Sequence, residues 1–172
     1  MITEELLATM QTNENEDLLS LSRFQPVLLV FLRHFGCIFC REAMVDLSGL
    51  KSFFESRGIK IVLVHMSDYE SAAEYFNMFG LQGVTNISDP ECKFYRDFGL
   101  GKGRFSQLFG LKNWARGVEV TLVKGIPFTF QQIGDGFQMP GVFYIRNGKV
   151  LNSFIHKSSA DRPDYQNIIS VA

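Results

Sequence analysis

Two cysteines three positions apart, Cys37 and Cys40, have the type and spacing to do chemistry as a pair. They sit in Arg33-His-Phe-Gly-Cys37-Ile-Phe-Cys40-Arg-Glu42, after an apolar run that reads as a strand and at the start of a segment with helical periodicity. In a first helical turn, residues i and i+3 share a face, which brings two sulfurs close enough to bond. The unpaired N–H groups and the positive end of the helix dipole favour thiolate over thiol at the more N-terminal position. Cys37 is therefore expected to be an exposed nucleophile at the helix tip. Cys40, one turn inside, is expected to be the shielded resolving thiol, attacking a sulfenic acid or mixed disulfide on Cys37. Arg33, His34 and Arg41 add positive potential around the pair, and Glu42 opposes it. Two other readings compete. A structural zinc site needs two more ligands, and only the scattered Cys92, His34, His65 and His156 remain. An inert buried pair fits the apolar Ile38 and Phe39 between the cysteines. The dithiol reading requires no metal and no organic cofactor.

Alternating strands and helices must position this turn. Thr3 caps a first helix to about Met10, and Thr12–Asp17 reads as a loop. Leu18–Ser22 reads as a short strand, and Val27–Arg33 as a strand buried on both faces. Ala43, Met44, Leu47, Leu50 and Phe54 recur at helical spacing up to Arg57, with Gly58 just beyond. Lys60–Met66 is a second buried strand. Ser67 and Glu70 form a capping box for a helix to about Phe79, closed by Gly80. Val84–Ile87 is a third strand, and Asp89-Pro90 opens a helix ending at Gly99. Phe105–Arg116 has a helical pattern, whereas Val118–Val123 fits a strand or a helix. Lys102, Arg104, Lys112 and Arg116 make this insert locally basic, as a solvated face does. Asn147-Gly148 is a hairpin signal between Gly141–Ile145 and Val150–His156. Asp161-Arg-Pro163 opens a terminal helix with Tyr165, Ile168 and Ile169 on one face. The order predicts an α/β architecture, a central mixed sheet flanked by helices, with an insert before the C-terminal hairpin.

The 172 residues suit a single domain over 1–172, with an N-terminal helical extension at about 1–14. A net charge of -1 excludes a general nucleic-acid binder, which needs a cationic surplus. Seventeen phenylalanines against one tryptophan point to a Phe-rich core. No apolar run approaches the ~20 residues of a membrane span, and no secretory signal is evident. A cytoplasmic, reducing location is the expectation, and there a cysteine pair is more often catalytic or metal-binding than structural. Cys92 reads as a buried bystander, and His65 and His156, in apolar strands, as structural.

From about residue 15 to 170 the chain resembles the thioredoxin-like superfamily, and within it the peroxiredoxin-like AhpC/TSA (alkyl hydroperoxide reductase/thiol-specific antioxidant) branch. The likeness rests on Val27–Arg33 with His34-Phe-Gly-Cys37-x-x-Cys40-Arg-Glu42, Ile87-Ser-Asp-Pro90, Tyr95-Arg-Asp-Phe98-Gly-Leu100, Gly134-Asp-Gly136 and Gln138-Met-Pro-Gly-Val-Phe143. It implies a thioredoxin-like fold and a redox-active thiol pair. It also implies a cis proline at Pro140, with Met139, Pro140, Phe35 and Gly36 facing the substrate. Departures are visible. If Cys40 matches the cysteine of the peroxiredoxin Pro-x-x-x-Thr/Ser-x-x-Cys loop, Cys37 takes the hydroxyl position and Arg33 the proline position. Pro140 stands where the family's peroxide-activating arginine usually precedes the later strand. The aspartate that thioredoxins carry six residues before the first cysteine is Phe31 here, so deprotonating the second cysteine needs another group. The expected activity is reduction of peroxides or protein disulfides, with regeneration by an external thiol reductant of the thioredoxin or glutathione type. A homodimer is compatible with it. The competing class is a non-catalytic redox-sensing or interaction module.

Overall fold

Val27–Phe31 (β1) is buried at every residue and forms the middle of a five-stranded mixed sheet. The computed structural model describes residues 2–104, 111–124 and 134–170. β1 runs parallel to Lys60–His65 (β2), with Val27 opposite Lys60 and Phe31 opposite Val64. On its other side it runs antiparallel to Gly141–Arg146 (β4), with Phe31 opposite Gly141. Thr85–Ser88 (β3) extends the sheet parallel to β2, and Lys149–Ile155 (β5) closes it antiparallel to β4. The order is β3-β2-β1-β4-β5.

Side chains alternate across a strand, so β1 feeds two cores. Leu28, Val30 and the following Leu32 pack with Met44, Leu47 and Phe54 of helix Ile38–Glu55 (α3) and with Ala72, Tyr75 and Phe76 of Tyr69–Met78 (α4). Val27, Leu29 and Phe31 face the opposite core. There they meet Leu7 of Glu4–Thr9 (α1), Leu18 and Leu21 of Leu18–Phe24 (α2), and Tyr95 of Lys93–Asp97 (α5). Phe31 alone touches the rings of Tyr95, Phe98 and Phe143.

Several local expectations need correction. Leu18–Ser22 belongs to helix α2, because Asp17 Oδ1 accepts the Ser20 N–H at 2.9 Å and caps it. The cap of α4 is Asp68, which accepts the Ser71 N–H at 2.8 Å, while the Ser67 hydroxyl donates to the Asp68 carbonyl. Asp89 does accept the N–H groups of Lys93, Phe94 and Tyr95, but helix α5 begins only after Cys92, which sits at φ 54°. Residues 118–123 lie in helix Leu111–Lys124 (α6), which settles their ambiguity; 105–110 of the predicted helical stretch lie outside the described residues. The terminal helix Tyr165–Ile168 (α7) is short and is capped by Asp164, whereas Asp161 caps the N–H groups of Lys157 and Ser158. Asn147 and Gly148 hold φ of 52° and 72°, the left-handed pair that a two-residue hairpin turn requires. Among the described residues no helix is long and apolar enough to cross a membrane.

Candidate active site

The loop between β1 and α3 is held from both sides. The Tyr95 hydroxyl lies 2.6 Å from the Leu32 carbonyl and 3.1 Å from that of Val64, where β1 and β2 end. The buried Phe35 ring stacks on Tyr75 at 4.6 Å, and the Arg41 Nε donates to the Phe35 carbonyl at 3.1 Å. Phe35 is therefore a core anchor of the loop, and its ring is not the substrate surface expected of it. Gly36, half-buried, leads to Cys37 at the N-cap of α3, whose carbonyl accepts from the N–H groups of Cys40 and Arg41.

The thiol pair thus occupies the predicted first turn, and Cys40 is shielded as expected, but Cys37 is not exposed. Cys37 is 8% exposed and Cys40 3%, because the turn is apolar and Val120 of α6 packs against Ile38 and Phe39. The two sulfurs have different environments. Arg33 Nη1 donates to Cys37 Sγ at 2.9 Å. The other guanidinium nitrogens donate to the carbonyls of Gln138 and Gly136, so Arg33 joins the thiol loop to the segment before β4. Among the described residues, no carboxylate pairs with this buried cation. Cys40 instead donates its S–H to the Arg33 carbonyl at 3.3 Å. Burial, reinforced by the charge of Cys37, pushes the Cys40 thiol far up, so it stays protonated. The shielded Cys40 thiol is thus neutral, and the Cys37 sulfur beside it faces a cation.

His34 does not add charge at neutral pH. Burial, helped by the Arg33 cation, lowers its pKa to about 4, and its Nδ1 has no hydrogen-bond partner among the described residues. Met139 and Pro140 are buried, and the described residues contain no cis peptide bond, so the implied cis proline at Pro140 is absent. Pro140 instead helps line a cavity of about 30 Å³ against Cys40, with His156 beside it. Cys37 does not line this cavity. Two residues do more than the sequence suggests, His156 by facing this cavity and Arg116 by leaving its supposed solvated face. Arg116 Nη2 lies 2.8 and 2.9 Å from the two oxygens of the buried Glu42 carboxylate, tying α6 to α3. Arg162 forks onto Asp46 at 2.7 and 2.8 Å nearby. The signal for the first contact is a carboxylate on an otherwise apolar helix face, which needs a cation. Lys102 pairs with Asp135 at 2.8 Å. Cys92 is buried in the core across the sheet from the pair. Among the described residues, no group of three or more His, Cys, Asp or Glu could hold a metal ion.

Comparison with known proteins bears on the whole chain. The model of the AhpC/TSA antioxidant enzyme family matches residues 46–158, more than half of the sequence and downstream of Cys40. A protein of Danio rerio named prostamide/prostaglandin F synthase is 32% identical over 91% of this chain and 79% of its own. Human peroxiredoxin-like 2C is 28% identical over 88% of this chain and 69% of its own. A solved structure of Xanthomonas campestris peroxiredoxin Q, a cysteine-to-serine mutant, superposes with a TM-score of 0.60 at 14% identity, covering 88% of this chain and 82% of that one. A Mycobacterium tuberculosis peroxidoxin, BcpB, gives 0.61 at 14% identity, over 92% and 85%. At such identities the structures establish the fold, a thioredoxin-like one. With the sheet order, the family match and the Danio rerio relative in agreement, the chain belongs to the peroxiredoxin-like AhpC/TSA antioxidant enzyme family.

Proposed function

We propose that the protein is a thiol-dependent oxidoreductase that reduces peroxide bonds through Cys37, with Cys40 as the resolving thiol. The observation that carries this reading is the buried Arg33 guanidinium on Cys37 Sγ, with no carboxylate to neutralise it among the described residues. A buried cation is costly unless something negative faces it, and the sulfur is the one hydrogen-bonded group that can become an anion. Arg33 thereby supplies the positive charge that the family's missing arginine, replaced by Pro140, would otherwise provide. In the proposed reaction the Cys37 thiolate attacks one peroxide oxygen, breaks the O–O bond and becomes a sulfenic acid, while the other oxygen leaves and takes up a proton. Cys40 then attacks the sulfenic sulfur, and water leaves as the disulfide forms. An external thiol reductant, one dithiol of the thioredoxin type or two thiols of the glutathione type, returns the pair to the reduced form and is itself oxidised to a disulfide.

The apolar setting of Ile38, Phe39 and Val120 suits a hydrophobic peroxide better than a charged one. The lipid-like prostaglandin named in one set of relatives is in keeping with an apolar substrate. A non-catalytic redox sensor is the second reading, favoured by the burial of both sulfurs.

Single-turnover oxidation tests the proposal. Wild type should lose two protons in mass at Cys37 and Cys40 after one equivalent of an organic hydroperoxide, and turn over with a dithiol reductant. Cys37→Ser should be inactive, and Cys40→Ser should accumulate a sulfenic acid that dimedone captures. Turnover by Cys37→Ser refutes the nucleophile assignment. Oxidation of wild type without turnover selects the sensor.

A further inference from the structure

The proposed reaction leaves one proton unassigned. Cys40 must lose its proton to attack, yet it is shielded from solvent at 3% exposure and its S–H is engaged by the Arg33 carbonyl. Phe31 occupies the chain position six residues before Cys37, where a carboxylate could have served. The acceptor has to lie elsewhere, on the cavity side of Cys40.

That cavity, about 30 Å³, has room for a water molecule. Its ionisable lining groups besides Cys40 are Arg33, Glu42, Asp46, Asp161, Arg162 and Tyr165, together with His156. The carboxylates are committed. Glu42 receives Arg116, Asp46 receives the Arg162 fork, and Asp161 caps the N–H groups of Lys157 and Ser158. His156 follows β5, is fixed by its N–H to the Pro140 carbonyl at 3.4 Å, and packs edge-on against Phe154. Its Nδ1 is buried and has no hydrogen-bond partner among the described residues, although buried polar atoms are nearly always paired.

We infer that His156 is the proton acceptor for Cys40, acting across the cavity through a bridging water. This rests on the thiol reaction proposed above. In the resolving step the Cys40 proton passes by way of the water to a neutral ring nitrogen of His156. The Cys40 thiolate forms its bond to the Cys37 sulfur, and the S–O bond on Cys37 breaks. The departing hydroxide takes the proton back from the imidazolium, so water is the only product besides the disulfide. Cys40 is oxidised and the sulfenic sulfur reduced by the same electron pair. Burial lowers the pKa of His156 to about 4, with Asp161 pulling it partly back, so the ring is neutral and able to accept at physiological pH. Burial disfavours either charge alone, but the transfer makes both at once, and the thiolate–imidazolium pair stabilises itself in a low dielectric.

The experiment separates this step from the first. Protein oxidised with one equivalent of hydroperoxide is followed for sulfenic acid, trapped by dimedone, and for the Cys37–Cys40 disulfide. With an internal acceptor, wild-type disulfide formation is nearly constant between about pH 6 and about pH 8. In His156→Gln and His156→Asn it is slowed about tenfold or more relative to the first oxidation, and it rises about tenfold per pH unit as bulk hydroxide takes over. A log-linear rise already in wild type overturns the inference and needs no folded variant. A flat profile retained in the variants, or equal slowing of both steps, overturns it too. A wild type that forms no Cys37–Cys40 disulfide removes the proposed function itself, a result distinguishable from these.

Discussion

Arg33 Nη1 lies 2.9 Å from Cys37 Sγ, and the same guanidinium holds the carbonyls of Gly136 and Gln138. One buried side chain therefore governs both the sulfur and the backbone beside it. Hydrogen bonds to charged groups contribute about 1.5–3 kcal/mol. Arg33→Met is expected to slow the reaction of Cys37 with hydroperoxide at neutral pH by about 10–100-fold on that basis. Arg33→Lys should recover only part of the loss, because an ammonium cannot reproduce the planar fork. Stopped-flow oxidation measures both, and a wild-type rate in Arg33→Met would reduce the guanidinium to a structural clamp.

Glu42 and Arg116 join α3 to α6 beside the thiols, with the carboxylate only 5% exposed. Glu42→Gln removes the charge and leaves the guanidinium short of an anion. Stability should fall by about 1–3 kcal/mol in denaturant unfolding. Proteolysis within residues 111–124 and alkylation of Cys37 should both quicken, since Val120 covers Ile38 from the same helix. Unchanged proteolysis would mean that apolar packing alone retains α6.

His34 and His156 both have pKa values lowered to about 4 from 6.5, each chiefly by burial. The unfolded chain binds these two protons below about pH 6.5, whereas the native protein resists them until about pH 4. Their neutral burial therefore leaves stability intact above about pH 6.5, and stability is lost as pH falls from there towards 4. Asp68 and Asp135, held below the ordinary carboxylate value of 3.8 by hydrogen bonds, act in a separate and more acidic window. Thermal melts across that range should show the decline, and a His34→Gln/His156→Gln double variant should flatten it. A double variant with the wild-type slope would assign the decline to other groups.

The Tyr95 hydroxyl bridges Leu32 and Val64 at the ends of two parallel strands. Tyr95→Phe keeps the ring contact with Phe31 and takes the hydroxyl away from two buried carbonyls, of which Val64's still accepts from the Leu32 N–H, at a cost of about 1–2 kcal/mol. Hydrogen exchange at Leu32, whose N–H donates to the Val64 carbonyl, should speed up accordingly. An unaltered exchange rate would place the hydroxyl outside the support of the loop.

The features most legible in the sequence are those decided within a few residues. Apolar runs mark β1 and β2, Asn147-Gly148 marks the hairpin, and the cysteine spacing places the pair on the first turn of α3. Leu18–Ser22 reads wrongly as a strand because a five-residue segment has too little length to show a period, and the Asp17 cap is the signal that separates the two. What depends on tertiary partners is not legible. Cys37 looks exposed because nothing in its own segment shows that Val120, far along the chain, covers the turn. His156 looks structural because its relation to Cys40 exists only once β5 has paired with β4. Trans geometry at Pro140 departs from what family likeness implies, in a segment where Arg33 already fixes the neighbouring Gln138 carbonyl.

The three-way grip of Arg33 also works in reverse. Coupling between two sites is reciprocal, so whatever loosens residues 136–138 must also alter the electrostatic support of Cys37, and whatever changes at Cys37 must alter how tightly those residues are held. A disulfide at Cys37 is a poorer acceptor for the guanidinium, which leaves two carbonyls to retain it. The oxidised protein is thus expected to be the looser one around residues 134–138, presenting to a reductant a surface that its reduced form keeps closed.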